Sequence, residues 1–303
     1  MDMRGQVAGR AMRCLVINLD RAPGRLAHMT AEFARIQIKF ERVSAVDGMS
    51  RPEIAAMSHI LSPTEIACFL SHKACWHIIA EGVDAYGAVF EDDTVFTAKA
   101  GPLLADVRWI PADANIIKLE TVFRKAVIGM MPSPVGFSFS LARLYGVHLG
   151  AGAYIISKKA ARDLLQATGD FNIPVDHVLF DPTVATSSSK TIYQILPAAC
   201  AQGLFLKDKS IELASQIEPD RLPYQMRRNL VQRRRKTPLT NVKTEARRIG
   251  LQIANVCKLR LEKTIPFHHH GARIQRGMNW MEYPTHRPAP LNANTNLDVP
   301  SNR

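Results

Sequence analysis

Three acids stand together in "GAVFEDDTVF" (residues 87–96): Glu91, Asp92 and Asp93. The apolar run before them reads as a buried strand, so the carboxylates sit at its carboxyl end. In extended geometry, residues two apart face the same way. Glu91 and Asp93 then share a side, and Asp92 points opposite. Two carboxylates beyond a strand end suit a hard divalent cation, Mg²⁺ or Mn²⁺, which prefers oxygen ligands. Such a cation keeps positions for phosphate oxygens and neutralises charge on a diphosphate leaving group. It would also make the repulsion among the acids tolerable. A solvated loop after a strand is the competing explanation, since short acidic triplets are common on surfaces.

The elements that must hold these acids are legible on either side. "CLVINLD", Cys14 to Asp20, reads as a buried first strand. Pro23 opens a helix through Arg35, and "KFERVSAVDG" gives a shorter strand and a turn at Asp47-Gly48. "LSPTEIACFLSHKACWHIIAEG" begins with Ser62 as N-cap, Pro63 at the first helical position and Glu65 closing a capping box. Ile66, Phe69, Leu70, Ala74, His77 and Ile78 follow a helical stripe, which Gly82 ends. "NIIKLE", Asn115 to Glu120, is another strand, followed by irregular sequence to about Ser140. "GAGAYIISKKAARDLLQATG" predicts a strand and then a helix capped by Ser157, and "TIYQILP" predicts a further strand. Alternating strands and helices argue α/β with a mostly parallel central sheet.

The formal net charge of +12 belongs to one region. Residues 221–276 hold fifteen Lys/Arg against two acids, Glu245 and Glu262, and the remainder is close to neutral. Within that region Val242, Ala246, Ile249, Ile253 and Val256 recur at helical steps between basic residues, predicting a basic amphipathic helix. Such a helix can lie on an anionic membrane surface, or pack its apolar stripe on the rest of the chain. The expected organisation is a flexible start (1–12), a globular domain (13–218), a basic helical extension (219–283) and a disordered tail (284–303). The run Arg233-Arg234-Arg235-Lys236 raises nucleic-acid binding, but it has no reader module with interleaved aromatics, so no nucleic-acid partner is expected. Cysteines 14, 68, 75, 200 and 257 form no CxxC pair, which argues against a disulfide framework or zinc knuckle. No run of about 18 apolar residues occurs. The start carries no leader pattern, so a cytoplasmic chain is expected, peripheral on the inner face of the membrane.

"CLVINLDRAPGR", "LSPTEIACFLSHKACW", "AVFEDDTVF", "GAGAYIISKKAARDLL", "PVDHVLF" and "QILPAACAQ" occur in one order. Together they make the chain resemble glycosyltransferase family 25, the lipopolysaccharide and lipooligosaccharide glycosyltransferases related to collagen galactosyltransferases. The resemblance covers roughly residues 13 to 205. It implies a GT-A fold over 13–218, a UDP-sugar donor such as UDP-galactose, Mn²⁺ or Mg²⁺, and inversion at the sugar carbon. The acceptor would be a saccharide or glycolipid.

On that resemblance "EDD" is the DxD-type element, with Glu91 where the family has Asp. Asp93 and Glu91 are the expected metal ligands, and Asp92 lies beside the donor. Asn18, Asp20, Arg21 and Arg25 would lie near the nucleotide, the arginines being suited to a diphosphate. Ser71 and His72 match the family's "LSH" and join the donor residues. Trp76, four residues on, would stack on a sugar or belong to the core. Asp176 in "PVDH" is the expected general base, with His177 beside it. Gly150, Gly152 and Tyr154 match a glycine-aromatic strand that supports the acceptor side. A glycosyltransferase-like scaffold without catalysis is the alternative that Glu91 leaves open.

Overall fold

The computed structural model describes residues 12–51, 53–54, 57, 60–206 and 254–268. In chain order the elements are β1 (Arg13–Asn18), α1 (Pro23–Arg35), β2 (Glu41–Ser44), α2 (Pro63–Glu81), β3 (Tyr86–Glu91) and β4 (Thr94–Phe96). Next come α3 (Ala100–Ala105), β5 (Ile116–Lys118), β6 (Glu120–Thr121), β7 (Lys125–Gly129), β8 (Ser133–Gly136), β9 (Phe139–Arg143) and β10 (Ala153–Ser157). The last are α4 (Lys158–Ala167), α5 (Val175–Phe180), α6 (Ala185–Ser188), β11 (Ile192–Leu196), β12 (Cys200–Gln202) and β13 (Arg260–Thr264).

Strand β1 is apolar from Cys14 to Ile17 because both of its faces are covered there. Leu15 and Ile17 join a core with Phe69, Trp76 and Ile79 of α2 and Ala160 and Leu164 of α4. Cys14 and Val16 face the other way, toward Met29 and Phe33 of α1 and Leu103 and Leu104 of α3. Helices therefore cover both sides of one sheet. Burying each such large side chain contributes roughly 1.5–3 kcal/mol against the entropy of ordering it.

The helix starts form as their residues dictate. Ser62 Oγ accepts from Glu65 N at 3.2 Å, and Glu65 Oε2 accepts from Ser62 N at 3.0 Å, which completes the capping box on α2. Ser157 caps α4 in the same manner, accepting from Ala160 N at 3.1 Å. The buried face of α2 differs from the predicted stripe: His77 is exposed, whereas Ser71 and His72 are buried. Buried polar residues are tolerated there because each has partners, described below.

The expectation of a mostly parallel sheet is corrected. The main sheet has eight strands in the order β2-β1-β3-β10-β5-β11-β9-β8 and is mixed. β1 pairs parallel with β2 and β3, and β5 pairs parallel with β11. β10 is inserted antiparallel between β3 and β5, and β9 runs antiparallel to β11 and β8. Parallel neighbours need a crossover connection, which α1 and α2 supply. β10 is reached through strands β7 to β9 and the loop 144–152, and that route delivers it from the opposite end.

Two further readings change. "NIIKLE" is broken at Leu119, so that β5 joins the main sheet while β6 joins a small one ordered β4-β12-β6. The basic amphipathic helix was expected to run past residue 260. Residues 254–257 are helical, but Arg260–Thr264 is a strand, antiparallel to β7. Ile265 and Phe267 beyond it are buried in the core with Ala198 and Leu206. The rest of the expected extension and the tail lie outside the described residues.

Candidate active site

The acids lie at the carboxyl end of β3, beside the end of β1. Open α/β sheets bind ligands at this edge. Asp92 turns toward β1 and α1: its Oδ2 accepts from Asn18 Nδ2 at 2.7 Å and its Oδ1 from Arg25 Nη1 at 2.6 Å. Arg25 Nη2 also stands 3.5 Å from Asp93 Oδ2. On the other side one donor serves two acids. Gln202 Nε2 donates to Glu91 Oε2 at 2.8 Å and lies 3.4 Å from Asp93 Oδ1. The expectation of extended backbone is corrected: the strand ends at Glu91, and Asp92 and Asp93 lie in a turn, which gives Glu91 and Asp93 a shared partner in Gln202 and Asp92 and Asp93 a shared neighbour in Arg25.

Burial and charge both act on these carboxyls. Burial, and then the charge of Glu91, push the Asp93 carboxyl up to about 7 against the pull of Arg25. Burial raises Asp92 too, opposed by Arg25 and Asn18. The acids therefore outweigh the positive charge that the described residues place among them. A hard divalent cation at Glu91 and Asp93 fits that deficit, and both residues offer the oxygen ligands it prefers.

Beneath Glu91 lies a buried polar chain. His72 Nε2 is 3.4 Å from Glu91 Oε1, and His72 Nδ1 is 2.9 Å from the Tyr154 hydroxyl. Trp76 Nε1 donates to the same hydroxyl at 2.8 Å. Trp76 and Tyr154 are each 0% exposed, so of the two readings open for Trp76, sugar platform or core, it is core. Ser71 is buried as well, donating to Ala67 O and accepting from Val46 N at 2.9 Å, which ties α2 to the segment after β2. These residues fix the floor of the site.

The loop before β10 links the acids to Asp176. Gly152 O accepts from Glu91 N at 2.8 Å, and Gly150 N donates to Asp176 Oδ2 at 3.3 Å. Gly150 takes φ +102°, a region favouring glycine, and a side chain at Gly152 would come within 2.6 Å of Glu120. Asp176 sits in the first turn of α5 and is buried, its Oδ1 accepting from His177 N at 3.0 Å. His177 Nδ1 pairs with Asp181 at 3.1 Å. Burial opposes the ionisation of Asp181, but bonds from His177 and Thr183 outweigh it and hold that carboxyl at about 2.

Asp20 and Arg21 lie on the exposed rim of this cluster, and Arg42 links Asp20 to it by donating to Asn18 Oδ1 at 3.0 Å. Asp20 pairs with Arg42 and accepts from Ser44 Oγ, and the hydrogen bond from Arg42 holds its carboxyl below the ordinary range. Arg21 pairs with Asp47 at 2.7 Å.

Sequence reasoning missed Lys118 and Glu120. Both are buried, and they pair at 3.0 Å. Lys118 Nζ also donates to the carbonyls of Leu149 and Gly150, and lies 4.2 Å from the centre of the Phe180 ring. Glu120 Oε1 accepts from Gly152 N at 2.9 Å, while its Oε2 has no hydrogen-bond partner. This pair holds the glycine loop in place. Its only trace in the sequence is a Lys and a Glu two apart within an apolar run, hence on one side of an extended chain. Gln202 closes the segment "QILPAACAQ", but neither its type nor its spacing ties it to the acids.

The strand-end acids, the glycine loop and Asp176 together make the candidate site of the chain. Residues 12–179 match the family model "Glycosyltransferase family 25 (LPS biosynthesis protein)", and the chain belongs to this family. It is a glycosyltransferase. It is 33% identical over 253 residues to the lacto-N-neotetraose biosynthesis glycosyltransferase LgtB of Neisseria meningitidis serogroup B, covering 75% of this chain and 88% of that protein. It is 27% identical over 225 residues to the lipooligosaccharide biosynthesis protein lic2B of Haemophilus influenzae, covering 69% and 83%. Among solved structures it is similar to an inositol-1-phosphate CTP transferase from T. maritima. That match has 11% identity, a TM-score of 0.38 and coverage of 72% and 98%, and it says nothing about chemistry.

Proposed function

We propose that the enzyme is a metal-dependent, inverting hexosyltransferase. It moves galactose from UDP-galactose onto a saccharide acceptor of a lipopolysaccharide or related cell-surface glycan. The observation that carries this reading is the paired Glu91 and Asp93, under-compensated for charge and joined through the Gly150–Gly152 loop to Asp176. Mn²⁺ or Mg²⁺ held there supplies charge neutralisation for the departing diphosphate. Arg25 lies beside both Asp92 and Asp93 and is placed to contact a phosphate oxygen, while Arg21 and Asp20 at the rim meet the nucleotide. Asn18 and Asp92 orient Arg25, and His72 orients Glu91.

Asp176 takes the proton of the acceptor hydroxyl. The hydroxyl oxygen forms its bond to the sugar carbon from the face opposite the diphosphate, and the bond to UDP breaks. Gly150 N keeps the Asp176 carboxylate aimed, and Tyr154 and Lys118 keep the loop and strand in register.

The chain also has a surface suited to an anionic membrane, consistent with a lipid-linked acceptor and a location on the inner face. Met130, Met131, Val256 and Leu259 are exposed, Met130 N donates to Leu259 O at 2.9 Å, and the exposed Lys258 is next to Leu259 in the chain.

The test is donor hydrolysis: purified protein, a panel of nucleotide sugars, with and without Mn²⁺, reading released nucleotide. Hydrolysis of UDP-galactose that needs Mn²⁺ and is lost in Asp93→Ala is expected. Equal hydrolysis with and without the ion would overturn the metal reading.

A further inference from the structure

We propose that Cys68, His72 and Glu91 form a second cation seat, suited to Zn²⁺ rather than to the hard cation of the donor site. Their ligand atoms all lie within 4.8 Å of one another. Glu91 Oε1 is 3.4 Å from His72 Nε2 and 4.0 Å from Cys68 Sγ. Tetrahedral zinc, with bonds of about 2.0–2.3 Å, sets its ligand atoms roughly 3.3–3.7 Å apart, so closure requires shifts of about 1 Å or less.

The backbone pre-arranges the set. Cys68 and His72 are four apart on α2 and so share one of its faces, while Glu91 arrives from β3. Glu91 presents Oε1 to this pair and Oε2 to Gln202, on the side of Asp93. The two seats thus draw on opposite oxygens of one carboxylate.

The surroundings suit a metal-binding imidazole. A ligating histidine is oriented by a hydrogen bond at its other nitrogen. His72 Nδ1 has that bond with the Tyr154 hydroxyl, which Trp76 holds from the other side. An ion at Nε2 takes the tautomer with the proton on Nδ1, facing the Tyr154 hydroxyl, and replaces the contact of Nε2 with Glu91. Cys68 and Glu91 are only half-buried, so an ion can reach them from solvent. Binding would release the thiol proton to water and leave the fourth position of the ion open. Thiolate and imidazole favour zinc over manganese or magnesium. Cys14, Cys75 and Cys200 cannot substitute, because burial raises all three thiols and removes them from solvent.

Zinc seated here would bind Glu91 through Oε1, leave less of the carboxylate's charge for the donor cation at Oε2, and so inhibit turnover. This consequence rests on the function proposed above; the seat itself does not.

The experiment uses the full chain and Co²⁺ as a spectroscopic substitute for Zn²⁺. A thiolate-to-cobalt absorption band that Zn²⁺ displaces is expected. It should be lost in Cys68→Ser and kept in Cys257→Ser; a band that survives Cys68→Ser overturns the proposal. On the unaltered protein, Zn²⁺ should block alkylation of Cys68 by iodoacetamide, read by mass spectrometry, and a chelator should restore it. Unchanged alkylation of Cys68 also overturns the proposal. In turnover assays Zn²⁺ should inhibit the parent protein and not Cys68→Ser; equal inhibition of both would refute the competition for Glu91. Failure of the donor reading would look different: no Mn²⁺-dependent turnover in either protein, with the cobalt band intact.

Discussion

The side-chain amide of Gln202 donates to Glu91 at 2.8 Å, joining residues 111 positions apart in the chain. The same nitrogen lies 3.4 Å from Asp93, so one neutral group holds two acids that would otherwise repel. β12 carries Gln202 to them by pairing antiparallel with β4, the strand just after the acids.

Gln202→Leu removes that donor and keeps the bulk. A hydrogen bond to a charged group contributes about 1.5–3 kcal/mol, and the partial exposure of Glu91 argues for the lower part of that range. Urea denaturation at neutral pH without added metal should show a loss of about 1–2 kcal/mol, most of it recovered with Mn²⁺. An unchanged midpoint would mean that the amide does not hold the acids.

Asp93 predicts a pH dependence. Its folded-state pKa lies above its unfolded value, so its contribution is fully present below about pH 4 and is lost as the pH rises through about 7. The metal-free protein should therefore lose stability between pH 5 and pH 8 relative to Asp93→Asn, which cannot ionise. Mn²⁺ should stabilise the parent protein more at pH 8 than at pH 5. Parallel stability profiles for the two proteins would show that Asp93 does not carry the effect.

Lys118→Met should be severe. It leaves Glu120 buried, with its pairing cation removed and one oxygen already lacking a partner. Breaking a buried pair from one side costs about 3–5 kcal/mol. Thermal unfolding measures this, and replacing both members (Lys118→Met with Glu120→Leu) should recover part of the loss.

Asp176→Asn keeps the shape of the side chain and removes the base. Turnover should fall by about 10²–10⁴-fold, while UDP affinity in the presence of Mn²⁺ stays within about twofold. Near-normal turnover would assign Asp176 to holding Gly150 alone.

Much of the frame was legible because it is local. The Ser62–Glu65 capping box, the Pro23 helix start and the Ser157 cap each depend on residues a few positions apart, and each forms. The placement of the acids at the end of β3 was legible from the apolar run before them, but the turn at Asp92 and Asp93 that brings Glu91 and Asp93 to one partner was not. The direction of β10 was not legible, because it depends on the route of the connection and leaves no mark in the pattern of the strand. Lys118 and Glu120 were hidden for a related reason. A charged pair inside an apolar run becomes intelligible only when the glycine loop that it binds lies against it. The spacing of Trp76 left a sugar platform and a core residue equally open, and its contacts with Tyr154 and Phe69 bury it.

β13 bears on how the protein comes off the ribosome. Every residue placed in the site, through Gln202, is synthesised before Arg260. Yet Thr121 Oγ1 donates to Ile265 O at 3.0 Å, Ala198 N donates to Pro266 O at 2.8 Å, and β13 pairs with β7 along one edge from Lys125 to Gly129. A nascent chain that already carries all of its chemistry therefore still has an open edge at β7 and an unfilled core beside Ala198. A protein cut near residue 219 would remain in that immature state.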